Sequence, residues 1–173
     1  MKKINYLLIL PLVLGIFSCT QEKKTPPPAP PSPQQAGEIR TAIINYMECE
    51  ECTDGELEKL IKQGDIILPS LEAILKEGAS PAKRTAYEYH LRSTYQELQE
   101  YQKTHPTTKS TLSENDYVAL YMDNYTALYQ SRAAHALGAF GGKQAKEILS
   151  NVDKSKVRDD VKNAIDESIL KIK

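Results

Sequence analysis

The chain has 173 residues, with 22 Lys and Arg against 23 Asp and Glu, three cysteines and no tryptophan. Its formal net charge of −1 gives no electrostatic footprint for nucleic acid. No glycine-rich phosphate loop, HExxH helix or nucleophile-elbow motif occurs to mark phosphoryl transfer, zinc proteolysis or acyl transfer.

The first segment, "MKKINYLLILPLVLGIFSC", opens with a short basic stretch, Lys2 and Lys3. A nearly continuous apolar run from Ile4 to Phe17 follows, and then the small Ser18. That is the pattern of a secretory signal peptide. The run is short for a membrane span, which needs about 20 residues. Its end, "IFSC", resembles the lipobox of bacterial lipoproteins, although Phe17 is bulkier than the usual residue at its place. The resemblance implies cleavage before Cys19 and diacylation of its thiol. Residues 1–18 are then the signal peptide, and two or three acyl chains hold the protein on a membrane of the bacterial cell envelope. Thr20 stands where some lipoproteins carry an inner-membrane retention aspartate, so the outer membrane is expected where the cell has one. Without residues 1–18 the charges are 20 basic against 23 acidic, a net of −3.

Residues 19–37 read as a tether. Six prolines fall between Pro26 and Pro33. Proline fixes φ and lacks an N–H, so the stretch is expected as a polyproline II spacer outside any helix. Thr20 to Gly37 would reach roughly 50 Å at about 3.1 Å per residue. No basic cluster flanks it to select a proline-binding partner.

Residues 38–173 are expected to form one all-α domain. Ile39, Ala42, Ile43, Tyr46 and Met47 recur at helical spacing. Thr53 and Glu56 make a capping box before Leu57, Leu60 and Ile61, and Gly64 ends that helix. Asp65 is expected to cap the next helix, with Pro69 near its first turn and Ile67, Leu71, Ile74 and Leu75 on its face. Ser80-Pro81 reads as cap and first helical residue. Two long helices follow, from about Pro81 to Lys103 and from Glu114 to Phe140, the second capped by Ser113. The short polar "THPTTKSTL" between them favours an antiparallel pair. A short helix after Gly141-Gly142 carries Ala145, Ile148 and Leu149. The last carries Val157, Val161, Ala164, Ile165, Ile169 and Ile172.

"SRAAHALGAFGGKQAKEIL" resembles a HEAT-like repeat of the short type also found in phycobilisome lyases. The matching residues are Arg132, Ala133, Ala134, Ala136, Leu137 and Gly138, then the glycine turn and "KQAKEIL". "GELEKLIKQGDIILPSLEAILKEG" is similar to a second, looser unit, and "KVRDDVKNAIDESI" to the start of a third. The resemblance implies an α-solenoid-like stack into which the long helix pair is inserted. The usual use of such a stack is to bind other proteins. The lyase branch is enzymatic, but no catalytic set carries over to this chain.

Cys49 and Cys52 form a Cys-x-x-Cys. A redox pair, half a metal site and a structural clip are the three readings. The histidines, His90, His105 and His135, fall at no metal-ligand spacing, so no metal is expected. A thiol oxidoreductase sets this motif beside a βαβ unit, and no strand pattern occurs here. Glu48, Glu50 and Glu51 oppose a reactive thiolate. A disulfide clip that fixes the turn after the first helix is the preferred reading, and a thiol helper working through Cys49 and Cys52 is the alternative.

Eight of the ten tyrosines lie between Tyr87 and Tyr129, and Tyr117, Tyr121, Tyr125 and Tyr129 recur every fourth residue. Packing against Tyr87, Leu91, Leu98 and Tyr101 is the simplest role for them. The stripe turns about 40° per step, so all four cannot share one seam. An end of the stripe is expected exposed, Tyr117 before Tyr129, with Tyr125 buried. Tyr117, Tyr121 and Tyr129 are the candidate partner-binding residues. No cofactor is expected. The partner is expected to be another envelope protein.

Replacing Cys19 with Ala should release the protein from membranes. Fractionation of cells carrying each version checks this: equal membrane retention of Cys19→Ala contradicts the lipoprotein reading.

Overall fold

The structure, a computed structural model, describes residues 30–105 and 111–172. Cys19, the signal segment, most of the tether, the 106–110 stretch between the long helices and Lys173 lie outside the described residues. The described residues are all-helical, with no strand among them.

Helix α1 spans Pro33–Met47, α2 Asp54–Ile61, α3 Leu68–Glu77, α4 Pro81–Thr104, α5 Glu114–Phe140, α6 Gly142–Ser150 and α7 Asp159–Lys171. Short 3-10 turns at Gly64–Ile67 and Lys154–Lys156 lead into α3 and α7.

Two boundaries differ from the sequence expectation. Helix α1 starts at Pro33, inside the stretch read as tether, with Gly37 in its interior. The Ser32 hydroxyl accepts from the Gln35 N–H at 3.3 Å. Pro33 takes the first helical position, where an amide has no partner to lose. The second difference is at Asp65, whose side chain caps nothing. The 3-10 turn runs directly into α3, and the Leu68 N–H donates to the Asp65 carbonyl instead. A tighter backbone turn thereby takes up the amide that a cap would have held.

The other starts follow the sequence. Glu56 accepts from the Thr53 N–H at 3.1 Å and from the Thr53 hydroxyl. Ser80 accepts from the Lys83 N–H at 3.4 Å, and Ser113 from the Asp116 N–H at 3.2 Å. At Gly141 and Gly142 φ is +73° and +77°. Two consecutive left-handed residues make the sharp turn from α5 to α6, and two glycines adopt it without a Cβ clash.

Helix α5 packs against each of the other six helices. Its C-terminal half is crowded and correspondingly bare: Ala133, Ala134, Ala136 and Leu137 are fully buried. Around it lie Met47, Leu60, Ile67, Leu71, Leu75, Leu149, Val161 and Ile165, all in one core. Burying a side chain of that size from water is worth about 1.5–3 kcal/mol, so this half holds the fold together. Helix α7 comes nearest. A Cβ placed on Gly138 would stand 2.7 Å from the Ser168 Cβ and 3.0 Å from its Cα. The N-terminal half of α5 packs on α4 through Tyr95 against Tyr117, ring centroids 5.4 Å apart, and Tyr87 stacked on Tyr125 at 4.2 Å.

Gly138→Ala should therefore destabilise the protein by about 1–3 kcal/mol, since the neighbouring backbone has to give. Gly37 has open space around its Cβ position. There the same change removes a helix-interior glycine and should stabilise by about 0.5–1 kcal/mol. Urea denaturation of the two variants checks the opposite signs.

Candidate functional site

Three elements meet at the C-terminal end of α1. Glu48 is its last cap residue. An anion there opposes the helix dipole, a penalty of about 0.3–1 kcal/mol at an exposed site. Two neighbours offset it. Lys83, in the first turn of α4, lies 2.7 Å from Glu48 Oε1 and donates to Oε2 at 3.0 Å. The Tyr129 hydroxyl, from α5, donates to Oε1 at 2.5 Å. The Tyr125 hydroxyl lies 3.1 Å from that of Tyr129. Burial works to raise the Glu48 pKa, but the hydrogen bonds from Lys83 and Tyr129 outweigh it and hold the carboxyl below its usual value. The Tyr129 hydroxyl is raised, first by burial and then by its bond to Glu48, so it stays a donor.

The turn that follows is pinned separately. Cys49 and Cys52 are joined as a disulfide with Cα atoms 5.1 Å apart. Arg132 donates to the Met47 carbonyl at 2.6 Å and to the Cys49 carbonyl at 2.9 Å. These carbonyls sit at the end of α1, where no intrahelical N–H remains for them. One guanidinium fork from α5 thus finishes α1 and fixes the disulfide loop.

Beside this tie runs an apolar groove of about 920 Å3. One wall is the α1 face from Ala36 to Met47. The other is Ile66, Ser70 and Ile74 of the 3-10 turn and α3, with Ala82, Lys83 and Ala86 of α4. Glu48 and Tyr129 stand in it, and so does Pro31, the second described residue. The volume lies in the range of small-molecule sites, about 300–1,000 Å3.

The tyrosine stripe is arranged differently from the expectation. Tyr129, one of the three candidate partner-binding residues, is 5 % exposed. Its place beside the buried alanines and its bond to Glu48 draw it inward. Tyr117, expected exposed, is half-buried between Tyr95 and Tyr121. Tyr125, expected buried, is half-buried as well. The most exposed member is Tyr121, at 39 %, in the middle of the stripe rather than at an end. The partner helix offers rings at Tyr87 and Tyr95, which hold Tyr125 and Tyr117. Tyr101, expected to pack into this seam, is 52 % exposed and stacks on His105.

Glu48, Lys83 and Arg132 were not legible as a site. A weak signal existed for Arg132, a long cation among the small residues of "SRAAHALG", a place where a buried charge needs a partner. No described helix is long and apolar enough to cross a membrane. No family model matches the chain, and neither a curated protein nor a solved structure matches it.

Tyr129→Phe removes a donor to an ionised acceptor, and should cost about 1–2 kcal/mol at neutral pH, less than a fully buried pair because Glu48 is partly exposed. The folded pKa of Glu48 is depressed, so its stabilisation is complete above the unfolded value and is lost as pH falls through the folded one. The parent should therefore lose stability as pH falls below about 4.5. In Tyr129→Phe the folded value moves back toward the unfolded one, and the difference between the two proteins should shrink on acidification. Urea midpoints at about pH 7 and about pH 3.5 check both signs.

Proposed function

We propose that this chain is a lipid-anchored protein of the bacterial cell envelope, attached through Cys19, whose helical domain binds another envelope protein. The observation that carries the reading is the outer face of α5. Leu120, Tyr121 and Leu128 are 48 %, 39 % and 41 % exposed and fall within about 100° of one helix face. Flanking tyrosines are held by packing, so Tyr121 is presented on a rigid base. A rigid, half-supported aromatic with a polar tip suits an interface anchor.

The HEAT-like reading forms part of the same proposal. The end of α5, the Gly141-Gly142 turn and α6 correspond to one helix–turn–helix unit. Helix α2, the turn at Gly64 and α3 correspond to a second, and α7 to the start of a third. The ring pairs Tyr87–Tyr125 and Tyr95–Tyr117 run in opposite senses along the two long helices, which supports an antiparallel pair. A stack of this kind offers extended surface rather than a catalytic pocket.

The second reading, a thiol helper working through Cys49 and Cys52, draws support from the exposure of Cys52 directly before the α2 cap. Against it stands the Arg132 fork, which fixes the Cys49 backbone as a structural clip requires.

Tyr121→Ala should cost little stability, under about 1 kcal/mol, as surface changes do. It should abolish the photo-crosslink formed in intact cells from a probe at Leu120. Tyr125→Ala, which breaks the stack on Tyr87, should cost about 2–3 kcal/mol. If Tyr121→Ala leaves the crosslinked partner and its yield unchanged, the α5 face is not the interface.

A further inference from the structure

The groove between α1 and the α3–α4 wall is separate from the face of Leu120, Tyr121 and Leu128, and the chain itself indicates what fills it. Pro30 and Pro31 are the first described residues, and Pro31 is on the groove wall. Whatever precedes them therefore starts at this groove. Eleven residues, from Cys19 to Ala29, lie between the modified thiol and that point. At no more than about 3.5 Å per residue they reach at most about 38 Å. The α1 wall from Ala36 to Glu48 is about 18 Å long. By length alone Cys19 can thus return to any point of the groove.

The composition of this segment narrows the occupant further. "TQEKKT" is too polar to cover Ile43, Ile44, Ile66 and Ile74, the groove residues that solvent still reaches. Acyl chains on Cys19 are the long apolar groups within reach. At the end of the groove Glu48 and Lys83 neutralise each other, and Arg40, the other charged residue on its wall, is exposed to solvent.

We infer that the groove holds an acyl chain of the protein's own lipidated Cys19 when that chain is out of the bilayer. This rests on the lipoprotein reading of Cys19. The groove would keep the modified chain from exposing hydrocarbon to water before insertion, and membrane entry would empty it. The expected consequence is an acylated protein that stays monomeric without micelles.

The test uses the full, naturally processed chain from cells fed a fatty acid carrying an alkyl diazirine. The protein is purified, diluted below the micelle threshold of its detergent, and irradiated. Intact mass first reads acylation at Cys19, and digestion then maps the adducts. The expected result is an acylated monomer with intramolecular adducts on the α1 or α3 groove peptides. Ile74→Arg, at a half-buried wall position, should cut those adducts at least about tenfold by placing a charge in the acyl path. Ile74→Leu should retain them, and circular dichroism should be unchanged in both. Acylated protein whose adducts fall only on detergent, on a second copy or on the face of Leu120, Tyr121 and Leu128 overturns the inference and leaves the lipoprotein reading standing. Absence of acyl mass on Cys19 overturns both.

Discussion

Helix α5 has to be thin where it is most surrounded, and the architecture depends on that constraint. It touches every other helix, and α7 comes so near that Gly138 has no room for a methyl group beside Ser168. Alanines at 133, 134 and 136 extend the same thin surface. Close approach lets the larger side chains of the neighbours meet around α5 in one core. Towards its N-terminus the constraint relaxes. There α4 is the main neighbour, with Arg158 before α7 tied to Asp123 and Asn124, and tyrosines fill the wider gap to α4 through ring contacts. The change from alanine to tyrosine along one helix thus marks the change from an enclosed core to a two-helix pair.

The contact between α1 and this frame has a different physical character. Apolar contacts at Ile39, Tyr46 and Met47 hold α1, yet one of its sides stays open along the groove. Polar ties close its end. Glu48 sits where the helix dipole disfavours an acid, so its position is explained by Lys83 and Tyr129 rather than by helix propensity. Arg132 adds a second fork, to backbone carbonyls. Both forks come to the same few residues as the disulfide. A three-residue loop gains little from a disulfide in chain entropy. Its contribution here is to hold the direction of a turn that receives four hydrogen bonds, one each from Lys83 and Tyr129 and two from Arg132.

How much of this was legible in the sequence follows the range of each interaction. Helix starts at Thr53, Ser80 and Ser113 were readable because a cap and its partner lie three residues apart. Ser32-Pro33 has the same form as Ser80-Pro81, but the proline run around it read as a spacer, and the helix start was missed. Composition over several residues outweighed a two-residue signal. Periodicity identified the buried faces of α3 and α7, since burial repeats every turn. It could not order the exposure of four tyrosines, which depends on where the rings of a second helix fall. Glu48, Lys83 and Tyr129 are far apart in sequence, and each alone is an ordinary residue on a helix. Their meeting is a product of packing, which no local pattern encodes.

The same geometry separates the two surfaces. Lys83 lies at the groove and Thr104 ends α4, so 21 helical residues, about 31 Å, carry the far end of the pair away from the groove. Helix α5 passes through both regions, and its tyrosines fall into two clusters, Tyr125 with Tyr129 and Tyr117 with Tyr121. Tyr129 holds Glu48 at the groove, Tyr125 contacts Tyr129, and Tyr121 shares a ring contact with Tyr117 towards the far end. The groove and the outer face of α5 are thus built on one helix, through Tyr129 on one side and Leu120, Tyr121 and Leu128 on the other, without sharing a residue.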